Sequence, residues 1–252
     1  MGPNSPSPHR NQAWPRVALL ATLALGIAAR MAQYLSNRSL WLDEAYLALN
    51  ILGRDFSGLL RPLDNHQIAP PLFLWAVKLA VSLWGDGEAI LRLVPLIGGI
   101  LTLPLFYWLA RRVLGPLGVI HPFFRSLIVL SSPWMNEEVR PAIQYIRDHW
   151  QEGDRVYVYH GAAPTFAYYA PRFGLDNPAL CQMGRASNGD FAVLQDDVAR
   201  LPPGRVWALF AHIYSFNGIS ERSFLLAQLD GRGTQLDRLE VQNAAVFLYD
   251  LR

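Results

Sequence analysis

Hydrophobic positions form long uninterrupted runs in the first half of the chain and short alternating blocks in the second half. The runs cover residues 17–35, 89–110 and, with more interruptions, 113–130. A helix needs about 20 apolar residues to cross a bilayer core. The pattern therefore predicts membrane helices over these runs, with a cleaved signal peptide as the alternative for residues 17–35. We expect the Pro- and Ser-rich tail at residues 1–13 to be disordered.

The distribution of charge predicts where a fourth apolar stretch, residues 68–84, lies relative to the membrane. Arg10 and Arg16 precede the first run, Arg111 and Arg112 end the run over 89–110, and basic residues favour the cytoplasmic side of a membrane. All four are cytoplasmic only if the stretch 68–84 lies along the outer surface instead of crossing. This topology predicts a multi-pass protein of a bacterial inner membrane, with a cytoplasmic N-terminus and an extracytoplasmic second half.

The second half alternates helical and strand patterns from residue 134 to residue 252. Helical patterns cover residues 137–150, 164–170, 191–200 and 221–229, and strand patterns cover residues 156–160, 206–211, 236–241 and 244–249. Such alternation is typical of a small layered sheet. The predicted fold class is therefore a membrane α-helical N-terminal half, over residues 14–131, followed by a small α/β soluble domain, over residues 134–252.

Composition and charge agree with this division and exclude several classes of protein. Hydrophobic residues make up 52% of the 252 residues and charged residues 17%, which excludes a disordered chain. Residues 1–131 hold 11 Arg/Lys and 6 Asp/Glu, whereas the remainder holds 11 and 14. The net charge of +2 provides no general nucleic-acid surface. The single cysteine, Cys181, excludes a disulfide scaffold.

Adjacent carboxylates, Asp43 and Glu44, lie just after the first predicted span. A carboxylate at a membrane surface can accept a proton from an acceptor hydroxyl, or hold a divalent cation against a phosphate. The alternative is structural. Both acids fit the first turn of a helix running to Leu52, where negative charge suits the helix dipole.

Four further polar residues in the same loop are candidates for binding an anionic group: Arg54, Arg61, His66 and Gln67. An arginine can bind a lipid-linked phosphate through two parallel hydrogen bonds. Contact with phospholipid headgroups is the alternative for both arginines. A lone histidine such as His66 has a functional role less often than a structural one.

Four motifs in the first half resemble one family of membrane enzymes. They are Trp-Leu-Asp-Glu-Ala-Tyr at residues 41–46, His-Gln-Ile-Ala-Pro-Pro-Leu-Phe-Leu-Trp at 66–75, Gly-Asp-Gly-Glu-Ala-Ile-Leu-Arg-Leu at 85–93 and Pro-Leu-Phe-Tyr-Trp-Leu-Ala-Arg-Arg at 104–112. In this order they resemble the N-terminal part of bacterial glycosyltransferase family 39, in the GT-C superfamily. That family includes protein O-mannosyltransferases and the lipid A aminoarabinose transferase.

The resemblance implies a transfer of sugar from a polyprenyl-phosphate donor to an acceptor on the outer side of the bilayer. Asp43 matches the acid that serves as general base or positions the acceptor, and Glu44 matches its neighbour. His66 and Gln67 match residues near the donor phosphate. The implied partners are the lipid bilayer and the lipid-linked donor. The absence of a G-x-G-x-x-G or P-loop motif in the sequence fits a reaction that uses no soluble nucleotide sugar.

The chain also departs from the family pattern. Family members carry many more membrane helices before the outer domain, whereas this chain passes from Leu114 to Trp134 through one poor span. A non-catalytic membrane-anchored protein with an outer α/β binding domain is therefore the alternative function. His149, His160 and His212 lack the spacing of a zinc motif, so no metal site is predicted among them.

Overall fold

The structure, a computed structural model, describes residues 13–113 and 137–252. Its α-helices are α1 (Ala13–Leu35), α2 (Leu42–Gly53), α3 (Pro71–Trp84), α4 (Glu88–Val113), α5 (Val139–Asp148), α6 (Ala163–Phe173), α7 (Phe191–Ala199) and α8 (Glu221–Arg232). Its strands are β1 (Arg155–Val158), β2 (Cys181–Met183), β3 (Gly204–Ala211), β4 (Ser215–Phe216), β5 (Ile219–Ser220), β6 (Gly233–Val241) and β7 (Ala244–Leu251).

Five strands form one mixed sheet in the order β2-β1-β3-β7-β6. Strand β1 pairs in parallel with β2 and β3, whereas β7 runs antiparallel to β3 and β6. Side chains alternate between the two faces of a strand. One face packs against α7 and α8 through residues such as Phe210, Leu194 and Leu225. Helix α5 contacts β3, β6 and β7, and its Tyr145 ring lies edge-on to Trp207.

The strands and helices predicted for the second half are present, with small shifts at their ends. Helix α7 begins where it was expected, because the side chain of Asp190 accepts a hydrogen bond from the Ala192 amide at 3.0 Å. Strand β2 was missed. It has three residues at the sheet edge, too few for a recognisable alternation of apolar and polar positions.

The predicted multi-helix membrane half is wrong. Among the described residues, one helix is long and apolar enough to cross a membrane, over Glu88–Leu109 within α4, judged by length and composition. The apolar part of α1, Leu20–Leu35, is shorter, and so is α3. The span predicted at 113–130 lies outside the described residues, apart from Val113, which ends α4. So does the tail predicted at 1–13, apart from Ala13, which begins α1.

Apolar residues of the supposed membrane half are used instead for packing against the α/β layers. Contacts divide the described chain into two units, one of residues 13–37 and 92–113, the other of residues 38–91 and 137–252. In the second unit α2 packs on α6, and α3 packs on α2. Apolar residues of α2 and α3 are consequently buried inside this unit, among them Ala45, Ile51, Leu74 and Val77. The fold is therefore a mixed α/β unit that includes residues 38–91.

Lys78, an unexpected charge in the apolar stretch 68–84, has a structural role. Its Nζ donates hydrogen bonds to the carbonyl oxygens of Ile51 at 2.8 Å and Leu52 at 3.4 Å. These carbonyls belong to the last turn of α2, where a positive charge complements the helix dipole. Lys78 thus ties α3 to the C-terminal end of α2.

Tyr169 and Glu88 join the two sequence segments of the larger unit. The Tyr169 hydroxyl donates to the Glu88 carboxylate and accepts a hydrogen bond from the Leu40 amide at 2.7 Å. Arg140 reaches the other oxygen of Glu88 at 2.5 Å. Burial and the bond to Glu88 together raise the pKa of Tyr169, so this hydroxyl stays protonated at neutral pH.

We expect Tyr169→Phe to lower the free energy of unfolding of the larger unit by about 2 kcal/mol, because it removes two buried hydrogen bonds, one of them to a carboxylate. Urea unfolding of the full chain in mild detergent, followed by tryptophan fluorescence, measures this change. Tyr34→Phe in α1 is the matched control, since Tyr34 belongs to the other unit. A Tyr169→Phe protein as stable as the wild type would contradict the proposed junction.

Candidate functional site

Asp43 and Glu44 lie in the first turn of α2 but have different surroundings. The Glu44 side chain accepts a hydrogen bond from the Trp41 amide at 3.4 Å, so it pairs a backbone donor at the start of the helix. The carboxylate of Asp43 is exposed, and no donor within the described residues reaches it. Glu44 therefore stabilises the start of the helix, as the structural alternative expected, whereas Asp43 remains available to a ligand.

Arg54 is occupied by the loop that follows α2. Its guanidinium forms an ion pair with Asp64 at 2.8 Å and donates to the carbonyl of Pro62 at 2.9 Å. Asn50 holds the same loop, because its side chain accepts from the Asp64 amide at 2.9 Å. Of the two arginines singled out in the sequence, Arg54 thus orders the backbone of the loop.

Arg61, His66 and Gln67 come together at one groove of about 480 Å³. Apolar side chains complete its walls, among them Leu63, which lies between Arg61 and His66 in the chain, and Ile68, which is 97% exposed. Asn65 and His66 both have a positive φ, so the chain turns sharply at the mouth of the groove. The groove combines the cationic side chain of Arg61 with apolar walls. This combination suits an anion that carries a hydrophobic group.

Two histidines lie together at the carboxyl ends of the parallel strands. His160 follows β1 and His212 follows β3, and the carboxyl edge of such strands is where α/β sheets usually bind ligands. The ring of Tyr214 stacks on His160, with centroids 5.2 Å apart and planes at 12°. It meets His212 edge-on, also at 5.2 Å. We call His160, His212 and Tyr214 the two-histidine cluster.

A buried carboxylate holds His160 in place. His160 Nε2 donates to Glu221 at 2.8 Å, and the same carboxylate accepts hydrogen bonds from the hydroxyls of Tyr159 and Ser187. Burial works to raise the pKa of Glu221, but the bonds from Ser187, Tyr159 and His160 outweigh burial and lower it. Glu221 is thus a charged anchor that orients the imidazole.

A second carboxylate, that of Glu137, orients His212. His212 Nδ1 lies 2.7 Å from an oxygen of Glu137, which is itself buried. A carboxylate only accepts, so Nδ1 is the donor in this pair. This carboxylate–imidazole arrangement is one that enzymes use to hold a base in a single orientation.

The tyrosines link Asp43 to this cluster. Burial is the largest cause of the raised pKa of Tyr214, followed by the charges of Glu137, Asp43 and Glu221. Burial, Tyr214 and then Asp43 raise the pKa of Tyr46, which lies one turn along α2. Asp43 is therefore close enough to both hydroxyls for its charge to act on them. An exposed carboxylate whose charge acts on two protonated phenols can take part in general acid–base chemistry.

Sequence reasoning missed the two-histidine cluster and its two carboxylates. His160 and Glu221 are 61 residues apart, and His212 and Glu137 are 75 apart, so no local spacing joins them. One signal was available, since His160 ends one predicted strand and His212 directly follows another. The aromatic residues Tyr157, Tyr159 and Tyr168 near β1 are buried and belong to the core.

A metal ion in a protein is held by several His, Cys, Asp or Glu side chains that lie close together. In the part of the chain that the structure describes, no group of three His, Cys, Asp or Glu residues is arranged to hold a metal ion.

Comparisons of the chain with protein-family models, with curated proteins and with solved structures found no match. Functional conclusions therefore rest on the residues of the site.

Proposed function

We propose that this chain is a membrane-attached transferase that moves a sugar from a polyprenyl-phosphate donor to an acceptor hydroxyl. The observation that carries the proposal is the position of Asp43. Its carboxylate is exposed in the first turn of α2, its charge acts on the hydroxyls of Tyr46 and Tyr214, and it belongs to the same compact unit as the groove of Arg61 and His66.

The reaction needs two groups of opposite charge. The acceptor oxygen attacks the anomeric carbon, the bond from that carbon to the phosphate oxygen breaks, and the polyprenyl phosphate leaves with the electron pair. Asp43 takes the proton of the acceptor hydroxyl as it attacks. Arg61 and His66 would stabilise the phosphate, whose negative charge grows as the bond breaks.

The surface around the groove suits a lipid donor. Leu72, Leu79 and Leu83 lie on α3 at spacings of seven and four, and all three are exposed, Leu72 by 77%. The other side of α3 is buried against the unit. At 14 residues α3 is about 21 Å long, too short to cross a bilayer. An exposed apolar stripe on a short helix is suited to lying at a membrane surface.

The same proposal assigns the membrane attachment to α4. Residues 38–91 and 137–252 belong to one compact unit, so both segments must lie on the same side of the bilayer, and α4 can cross it only if the chain returns over residues 113–130, where the sequence predicts a span. Arg111 and Arg112 at the far end of α4 favour the cytoplasm. The larger unit would therefore lie outside.

We expect a reporter that is active only outside the cytoplasm to be active when fused after Leu60 or Arg252, and inactive after Arg112. The charge of Arg111 and Arg112 is the physical reason, and replacing both by Glu is the control that should weaken the orientation. An active fusion at Arg112 in the unmodified chain would contradict the assigned direction of α4.

Transfer itself is measured with the full chain in membrane vesicles, using a polyprenyl-phosphate sugar labelled in the sugar. We expect release of polyprenyl phosphate and appearance of the label in an acceptor, above vesicles from cells that lack the chain. No transfer with any of several sugars and acceptors would overturn the proposal. A non-catalytic anchored binding protein would then be the better description.

A further inference from the structure

Arg30 is a charge within the apolar part of α1, Leu20–Leu35, and it lies against the middle of α4. A β-carbon added to Gly99 would be 3.0 Å from Arg30 Nε, so the arginine side chain crosses α4 at this glycine. Gly99 is at the centre of the candidate span Glu88–Leu109. When α4 crosses a bilayer, the Arg30 guanidinium therefore lies near the middle of the hydrocarbon.

The Arg30 side chain points away from Leu35, the nearer end of its helix. Its Nη1 donates a hydrogen bond at 3.1 Å to the carbonyl oxygen of Gly26, one turn closer to the start of α1. A β-carbon on Gly26 would lie 3.2 Å from Leu103, so α1 and α4 pack side by side in opposite directions. The guanidinium thus stays at the depth of Gly99 instead of extending to the bilayer surface.

No acid of its own unit neutralises Arg30. The sequence over residues 1–37 and 92–134 holds seven arginines and no Asp or Glu. Glu88 begins α4, about 16 Å along that helix from Gly99. Apart from the carbonyl of Gly26, Arg30 has no hydrogen-bond partner in the described parts of the chain. Since an unpaired charge is costly in hydrocarbon, Arg30 favours an anionic partner, and a second copy of this unit has none to offer.

The α4 surface next to Gly99 has room for a further helix. Gly98 is exposed, and outside its own helix no described atom lies within 4 Å of the position that its β-carbon would take. Thr102, one turn further along α4, is also exposed. Small residues at this spacing let helix backbones approach closely in a membrane. A helix packed here would bring its side chains close to Arg30.

We propose that this face of α1 and α4 binds a membrane helix of another protein, one that carries an Asp or Glu at mid-depth. The carboxylate would accept two parallel hydrogen bonds from the Arg30 guanidinium. A phospholipid phosphate is the poorer partner, because it lies about 15 Å from the bilayer centre. The proposal rests on the membrane attachment assigned to α4, which the reporter fusion after Arg112 tests separately, so the two failures are distinguishable.

Three model peptides test the charge of the partner: a Leu/Ala membrane helix of about 20 residues with Asp, Asn or Leu at its centre. The full chain is reconstituted in phosphatidylcholine vesicles at pH 8, and energy transfer from its tryptophans to a dansyl group on the peptide reports binding. We expect the Asp peptide to bind about tenfold more tightly than the Asn peptide, which has the same size but no charge. Equal affinities would overturn the proposal.

Two variants connect this preference to Arg30. Arg30→Leu removes the charge from an apolar helix and should abolish the preference for the Asp peptide. Gly99→Leu places a side chain where the Arg30 side chain lies and should reduce the preference to less than about threefold. Arg112→Leu is the matched control, because Arg112 lies near the end of α4, over the Trp108 ring at 4.0 Å, and it should change nothing.

Two results would refute the proposal. One is a preference for the Asp peptide that survives Arg30→Leu. The other is loss of peptide binding when phosphatidylglycerol replaces a minor part of the lipid, because a lipid phosphate would then be the ligand of Arg30.

Discussion

Asp43→Asn should slow sugar transfer by about 10²–10⁴-fold, the usual loss when a general base is removed. Asn keeps the size of the side chain but cannot take the proton of the acceptor hydroxyl. The change should alter the free energy of unfolding by less than about 1 kcal/mol, since Asp43 is exposed near the start of α2. Transfer from the labelled donor, at matched protein levels in vesicles, measures the effect.

Two matched variants make this result specific. Glu44→Gln should slow transfer much less, because Glu44 caps its own helix through the Trp41 amide. Asp176→Asn, the same change at an exposed position outside the site, should leave the rate unchanged. If the wild type transfers sugar and Asp43→Asn does so at the same rate, Asp43 is not the base.

Glu221→Gln should lower the free energy of unfolding by about 2–4 kcal/mol, the largest stability effect that we expect in this chain. Three donors point at the Glu221 carboxylate, from Tyr159, His160 and Ser187. The Gln amide turns one acceptor oxygen into a donor, so at least one buried group loses its partner. The melting temperature should fall by roughly 5–10 °C, measurable by fluorescence in mild detergent.

Glu240→Gln is the control for Glu221→Gln, because it makes the same chemical change in a half-exposed pair with Arg222. Such surface pairs contribute less than about 1 kcal/mol. Similar melting temperatures for the two variants would show that the Glu221 network does not stabilise the fold.

The effect of Glu221 should also depend on pH. Its folded pKa is lowered, so its charged form stabilises the folded state above its unfolded pKa of about 4.3. That stabilisation is lost as pH falls through the lower folded pKa. The stability difference between wild type and Glu221→Gln should therefore be constant near neutral pH and shrink below about pH 4. A difference that grows on acidification would contradict a charged Glu221.

Local patterns explain why much of the second half was predictable. Helix α7 begins at an Asp cap that bonds within its own first turn, and α8 begins at Glu221, the first residue of the helix predicted there. Strands β6 and β7 form a hairpin in which Val241 pairs with Ala244. Each of these features depends on residues a few positions apart, so the sequence alone carries the information.

Local sequence patterns could not show that residues 38–91 belong to the α/β unit. Burial in a bilayer and burial in a protein core both remove apolar surface from water, so hydrophobicity alone does not distinguish them. Leu40 and Glu88 both form hydrogen bonds with Tyr169, and they lie 129 and 81 positions before it in the chain. These contacts place residues 38–91 in the α/β unit. A one-dimensional pattern therefore predicted a membrane region where the fold has part of an α/β unit.

The sequence by itself determined the α/β elements of the second half, the first-turn position of Asp43 and the meeting of Arg61, His66 and Gln67 within one short loop. Only the tertiary structure decided that Glu44 and Arg54 serve the fold, and that His160, His212 and Tyr214 lie together. The physical reason is the range of the interactions involved. Helix capping and turns act over a few residues, whereas buried carboxylate–imidazole pairs join residues that only the packed sheet brings together.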